Sequence, residues 1–102
     1  MQIIIWNSTP LGINSISTFN ANTWYFIAFT YNGSMLDIYV NGQLDKSLAT
    51  TQGIGSPASF ATGIGHSNGA GGFWWNGLIS DVRLYNRALS AAEIQAIYNA
   101  EK

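Results

Sequence analysis

From Thr23 to Tyr31 the chain has little choice of conformation. The run Thr23-Trp24-Tyr25-Phe26-Ile27-Ala28-Phe29-Thr30-Tyr31 consists almost wholly of aromatic and β-branched residues. Both of its alternating faces are apolar, with Trp24, Phe26 and Ala28 against Tyr25, Ile27 and Phe29. A strand of that composition suits the middle of a sheet covered on both sides. Asn32-Gly33 follows, then Met35 to Val40, where Leu36, Ile38 and Val40 alternate with Met35, Asp37 and Tyr39. Asn41-Gly42 comes next, then Gln43 to Ala49. Asn and Gly both tolerate positive φ, so two Asn-Gly pairs between short strands predict two-residue type I′ hairpins. The expectation is an antiparallel meander of three strands with Trp24 in the core.

The flanking segments read as more β structure and one helix. Ile3 to Trp6 is β-branched and apolar on both faces, as in a buried strand. Asn7 to Gly12 is a turn cluster, and Ile13 to Phe19 alternates weakly, as a strand can. Thr50 to Ser59 reads as a loop, Phe60 to Gly65 as a short strand, and His66 to Gly77 as a Gly-rich loop. Leu78 to Tyr85 reads as a further strand, with Leu78, Val82 and Leu84 on one face. Ser90-Ala91-Ala92-Glu93 is a capping box flanked by Leu89 and Ile94 at the staple positions. It predicts a helix from about Ala91 to Ala100 with Ile94, Ile97 and Tyr98 on its apolar face. Many short strands, Gly turns and one late helix indicate an all-β antiparallel sandwich with a short C-terminal helix.

Several of these segments match a known pattern. Asn22 to Gly33 resembles the central strand of the laminin-G-like, concanavalin A-like jelly-roll superfamily. Leu36-Asp37-Ile38-Tyr39-Val40-Asn41-Gly42 resembles the strand that follows it, and Ile64-Gly65 a strand end. Phe73 to Gly77 and the run Leu78 to Ile94, with Ser80-Asp81-Val82-Arg83-Leu84-Tyr85-Asn86-Arg87-Ala88-Leu89-Ser90, resemble the family's closing strand and helix. The matches span residues 22 to 98. The opening strands of the family, with "F-D-G" and "F-T-x-x-x-W" segments, are absent. The resemblance therefore implies a single domain over residues 1–102, truncated on its N-terminal side to the C-terminal half to two-thirds of a jelly roll. Such a sandwich leaves edges and a core face open, and the expected cover is a neighbouring chain, most simply a second copy in a homo-oligomer, the alternative being a monomer with a pared-down sandwich.

Composition narrows the function classes. The chain has 102 residues, no Cys, 9% charged residues and a net charge of −1. That rules out disulfides and thiolate metal sites, and provides no basic field for nucleic acid. No apolar run approaches the roughly 20 residues of a membrane span. Met1 to Trp6 lacks a positive n-region and is too short for a signal-peptide core, so no export signal is visible. The glycosylation patterns Asn7-Ser8-Thr9 and Asn32-Gly33-Ser34 are read as coincidental, Asn32 being explained by its turn.

The chemistry points to recognition rather than catalysis. Glucanases of this fold carry paired acids on one strand, whereas Glu93 and Glu101 both fall on the helix and Asp37, Asp45 and Asp81 are scattered. No enzymatic activity is expected. Relatives that bind Ca²⁺ place acids in the loop after the Ile64-Gly65 strand, and here that loop reads His66-Ser67-Asn68-Gly69. No cofactor is expected; Asp81 is the weak Ca²⁺ candidate, against an alternative role as an acceptor or Arg partner. The best ligand-site candidates are His66, Asn68, Phe73, Trp74, Trp75 and Asn76, in which aromatic faces and amides among glycines suit a sugar. Against this, His66 alone suits a solvated loop, and one or both tryptophans suit the core or a subunit contact. The resemblance implies a non-catalytic, lectin-like module for a glycan or protein surface, extracellular or on a virion. The rival is a structural part of a larger assembly, such as a virion decoration or tail protein. A fragment of a membrane-linked adhesin is a third reading.

Overall fold

The computed structural model describes residues 2–7, 9–51 and 75–101. The strands are β1 (Gln2–Asn7), β2 (Thr9–Asn14), β3 (Ile27–Tyr31), β4 (Met35–Val40) and β5 (Gln43–Ala49), followed by one helix, α1 (Ala91–Glu101). β1 and β2 form an antiparallel pair, and β3-β4-β5 an antiparallel sheet with β4 in the middle. The protein is thus mostly antiparallel sheet with a short C-terminal helix. The expected strand over Phe60–Gly65 lies outside the described residues.

Alternation on β4 builds the core. Leu36, Ile38 and Val40 point to one face of the sheet. Register places Tyr31 and Leu48 on either side of Leu36. Ile13 of β2 joins Leu36 and Ile38 in one buried cluster, with Tyr31, Val40 and Leu48 packed around it. The hairpin β1-β2 is fastened to the larger sheet by this cluster.

A β-bulge makes a second fastening. Ile38 pairs with Lys46 but Tyr39 pairs with Leu44, so Asp45 has no opposite residue. A bulge re-aims the side chain it carries. The Asp45 carboxylate accepts the amides of Ile16 (2.7 Å) and Ser17 (3.2 Å) and the Ser17 hydroxyl. These bonds, with that from Ser15 Oγ to the Ser17 carbonyl (3.1 Å), are why the strand expected over Ile13–Phe19 ends at Asn14. In turn β2 begins at Thr9, inside the expected turn cluster Asn7–Gly12.

The two Asn-Gly pairs form different turns. Asn41 (φ 50°) and Gly42 (φ 79°) are both left-handed between paired Val40 and Gln43, the expected type I′ hairpin. At the other pair the turn is shifted by one residue. The Asn32 amide donates to the Met35 carbonyl (3.3 Å), and only Gly33 (φ 93°) is left-handed, so the central residues are Gly33-Ser34. The Asn32 side-chain oxygen accepts the Ser34 and Met35 amides at 2.9 and 2.8 Å. Asn closes this turn from its first position, as an Asx turn does.

Two expectations of strands are corrected. β3 is five residues rather than nine, and it pairs only with β4 among the described residues. Asn22 is left-handed (φ 57°) and interrupts an extended path. Trp24 is 64% exposed rather than core, and Phe29 on β3 is 59% exposed. Residues 78–85 form no strand: Asp81 takes φ 52°, and Leu78, Ile79, Val82, Leu84 and Tyr85 are all exposed, Leu84 almost completely. Their alternating pattern calls for a sheet partner that the described residues do not supply.

Helix α1 starts at the expected capping box. Glu93 N donates to Ser90 Oγ (3.2 Å), and Ser90 N donates to the Glu93 carboxylate (2.9 Å). Arg87 clasps the same carboxylate at 2.9 and 2.5 Å. The Arg87 guanidinium, then the Ser90 amide, hold Glu93 down to about 2. Ile94 is fully buried. Tyr98 lies 5.8 Å from the Phe26 ring, and Gln95 accepts from Gln43 at 2.8 Å. A Cβ on Gly42 would come within 2.9 Å of the Tyr98 ring and 3.1 Å of Gln95. The β4-β5 turn therefore has to be bare where the helix crosses it.

Two outcomes follow from these contacts. Gly33→Ala carries only the left-handed backbone cost of about 1–2 kcal/mol, since nothing lies near its Cβ. Gly42→Ala should lose measurably more in urea denaturation, because Tyr98 and Gln95 must also move; equal losses would remove the close helix contact. Asp45 is also held below the usual carboxylate range, first by the Ser17 hydroxyl and then by the Ser17 and Ile16 amides. A depressed carboxyl stabilises the fold fully above its unfolded value, near ~4, and that contribution disappears as pH falls through the folded value. Melting temperature should therefore drop as the pH falls below about 4, with the Glu93 contribution lost as the pH passes through about 2. Asp45→Asn and Glu93→Gln should each lower it at pH 7 and flatten the acid slope, and an unchanged slope in both would contradict the assignment.

Candidate functional site

The loop between β2 and β3 is held by its own aromatic contacts. Phe19 and Tyr25 meet edge to face at 4.9 Å. The Asn20 amide donates to the Tyr25 hydroxyl (2.9 Å), and Thr23 Oγ1 donates to the Ala21 carbonyl (3.2 Å). Phe26 is tied to the β4-β5 turn in both directions: its amide donates to Asn41 Oδ1 (3.0 Å), and its carbonyl accepts the Asn41 amide (2.8 Å). With both ends fixed, the left-handed Asn22 turns the chain outward and leaves Trp24 in solvent.

Residues 75–78 face this loop. Trp75 is 58% exposed, and its indole N–H donates to the Leu78 carbonyl (3.3 Å), which fixes the ring across its own turn. Residues 19–24 and 75–78 enclose a cleft of about 860 Å³. Its walls carry the indoles of Trp24 and Trp75 and the amides of Asn20, Asn22 and Asn76, and among the described residues no titratable side chain. Exposed rings on braced loops, beside amides able to donate and accept, suit a polyhydroxylated or peptide-like surface.

Of the residues singled out in the sequence, Trp75 and Asn76 line this cleft. His66, Asn68, Phe73 and Trp74 lie outside the described residues. Trp24 is the wall residue that sequence reasoning missed, by placing it in the core. Its position just after the Asn20-Ala21-Asn22 break was the available signal, because a residue beside a left-handed turn need not continue the strand.

The carboxylates sit elsewhere, each with a partner. Asp37 accepts from Ser47 (2.6 Å) across the β4-β5 pair. Arg83 bridges Asp81 (3.2 and 3.3 Å) and Glu101 (2.6 Å), tying residues 81–83 to the end of α1. Asp81 is pushed down by hydrogen bonds from Glu101 and Arg83, and Glu101 is pushed up by Asp81. Both Asp81 oxygens, the weak Ca²⁺ candidate, face the guanidinium. Among the described residues no group of three or more His, Asp or Glu side chains is placed to hold a metal ion. None of their helices is long and apolar enough to cross a membrane.

Comparison with known proteins identifies the family. A family model described as the concanavalin A-like lectin/glucanases superfamily matches residues 1–95. No curated protein matches the chain. Among solved structures, the crystal structure of an S-layer domain-containing protein from Clostridium thermocellum is similar, with a TM-score of 0.66 and 25% identity. The similarity covers 95% of this chain and 50% of that one, so the chain spans about half the length of its solved relative. Domains of this kind often bind carbohydrate or protein, and with most of its length matched, the chain belongs to the concanavalin A-like lectin/glucanase superfamily.

Proposed function

We propose that this chain is a non-catalytic recognition module that engages a glycan or protein surface outside the cell through the cleft between residues 19–24 and 75–78. The observation that carries this reading is the pair of solvent-exposed indoles, Trp24 and Trp75, facing one cleft with Asn20, Asn22 and Asn76. A core tryptophan contributes to stability. An exposed one beside a cleft contributes little to the fold and is available to a ligand. Among the described residues the cleft walls carry no acid or base, which accords with binding rather than hydrolysis. His66, Asn68, Phe73 and Trp74 remain proposed extensions of the same site.

Glycan-array screening followed by calorimetry tests the reading. Trp24→Ala and Trp75→Ala should each weaken binding roughly tenfold or more while moving the melting temperature little. Loss of folding in both variants, or unchanged affinity in both, would contradict it.

A second reading, a structural part of a larger assembly, draws on a different observation. Leu78, Ile79, Val82, Leu84 and Tyr85 form an exposed apolar strip within eight residues. Such a strip marks an interaction surface or an aggregation liability. If a second copy covers it, light scattering at micromolar concentration will show a discrete oligomer that Leu84→Glu dissociates. A stable monomer, or an oligomer indifferent to that substitution, would remove this reading.

A further inference from the structure

Charge is distributed very unevenly along this chain. Residues 1–36 contain no Asp, Glu, Lys or Arg, and neither do residues 47–80. Every charged side chain is at Asp37, Asp45 or Lys46, or from Asp81 onward. Both walls of the cleft, residues 19–24 and 75–78, fall inside the two uncharged stretches. The intervening residues 52–74 add only His66 as an ionisable group, wherever they lie.

We infer that the cleft selects an uncharged oligosaccharide and discriminates against acidic glycans. This rests on the recognition reading above and names its ligand class. A sulfated, uronic or sialylated sugar must give up hydration of its anion on entering, and recovers that cost only if a cation or a set of aimed donors meets it. Among the described residues no Lys or Arg lines this cleft. A neutral sugar presents hydroxyls, which the amides of Asn20, Asn22 and Asn76 can both donate to and accept from. It also presents C–H faces, which stack on Trp24 and Trp75. The volume of about 860 Å³ lies in the upper part of the roughly 300–1,000 Å³ range of small-ligand sites. That is room for several rings, so the fit is to a segment of a chain rather than to one monosaccharide.

Calorimetry against a neutral panel (cello-, manno-, xylo- and chito-oligosaccharides) and an acidic panel (heparin fragments, oligogalacturonates) tests this. At least one neutral oligomer should bind with an affinity that is unchanged between about 0.1 and 1 M NaCl, where the Debye length falls from about 10 to 3 Å. In the unaltered protein that oligomer should protect tryptophan fluorescence from acrylamide, and Trp24→Ala and Trp75→Ala should each weaken binding roughly tenfold or more. Preferential binding of an acidic glycan that weakens with salt and is lost in both variants would overturn the neutral selection while leaving the cleft as the site. Binding that ignores both tryptophans, or no binding to either panel with no fluorescence protection, would overturn the site reading and the ligand class together.

Discussion

The Asn41-Gly42 turn is the junction on which the rest of the molecule depends. It sets the pairing of β4 with β5. Its Asn41 side chain and amide hold Phe26, and so fix the point where the chain enters β3. Its Gly42 leaves the space that Tyr98 and Gln95 of α1 occupy. A residue with a Cβ there would strain the turn and push against the Tyr98 and Gln95 side chains at once. Two residues therefore coordinate three strands and the helix, although none of their own side-chain atoms enters the apolar core.

The cleft is a consequence of that junction and of the core. Phe26 is anchored at one end of the β2–β3 loop, and at the other end the Asp45 bulge holds Ile16 and Ser17. Between these anchors, residues 19–24 have little freedom to collapse inward, and Trp24 faces solvent. Trp75 is held by its own bond to Leu78. The proposed binding surface is thus presented by short loops braced on a sheet, an arrangement that leaves its rings exposed. At the other end of the sequence Arg83 and Arg87 tie the approach to α1 onto the helix itself.

What could be read from the sequence depended on range. The Ser90–Glu93 capping box and the Asn41-Gly42 turn are complete within a few residues, and both were legible. Asn32-Gly33 was legible as a turn but not in its frame, because the competing bonds from the Asn32 side chain settle which residues are central. The Asp45 bulge joins positions 28 and 29 residues apart, and no local pattern announces it. Trp24 was read as core and Leu78–Tyr85 as a strand because their composition fits a sheet. Whether a strand is covered depends on what packs against it, and composition cannot supply that. The family was legible from the closing run through Asp81, Arg83, Tyr85 and Arg87, and the match over residues 1–95 agrees. Of the candidate site, Trp75 and Asn76 were named in advance and Trp24 was not.

The central claim is that ligand meets the two exposed indoles together. The most direct measurement is a heteronuclear NMR titration of the labelled protein with the best-bound neutral oligosaccharide, followed at the tryptophan indole N–H and asparagine side-chain amide resonances. The account predicts saturable shifts of Trp24 and Trp75 with a common dissociation constant, shared by Asn20, Asn22 or Asn76, while the backbone resonances of Ile94 and Tyr98 on α1 stay in place. Saturable shifts confined to residues outside 19–24 and 75–78, or no shift of either indole at saturation, would contradict it.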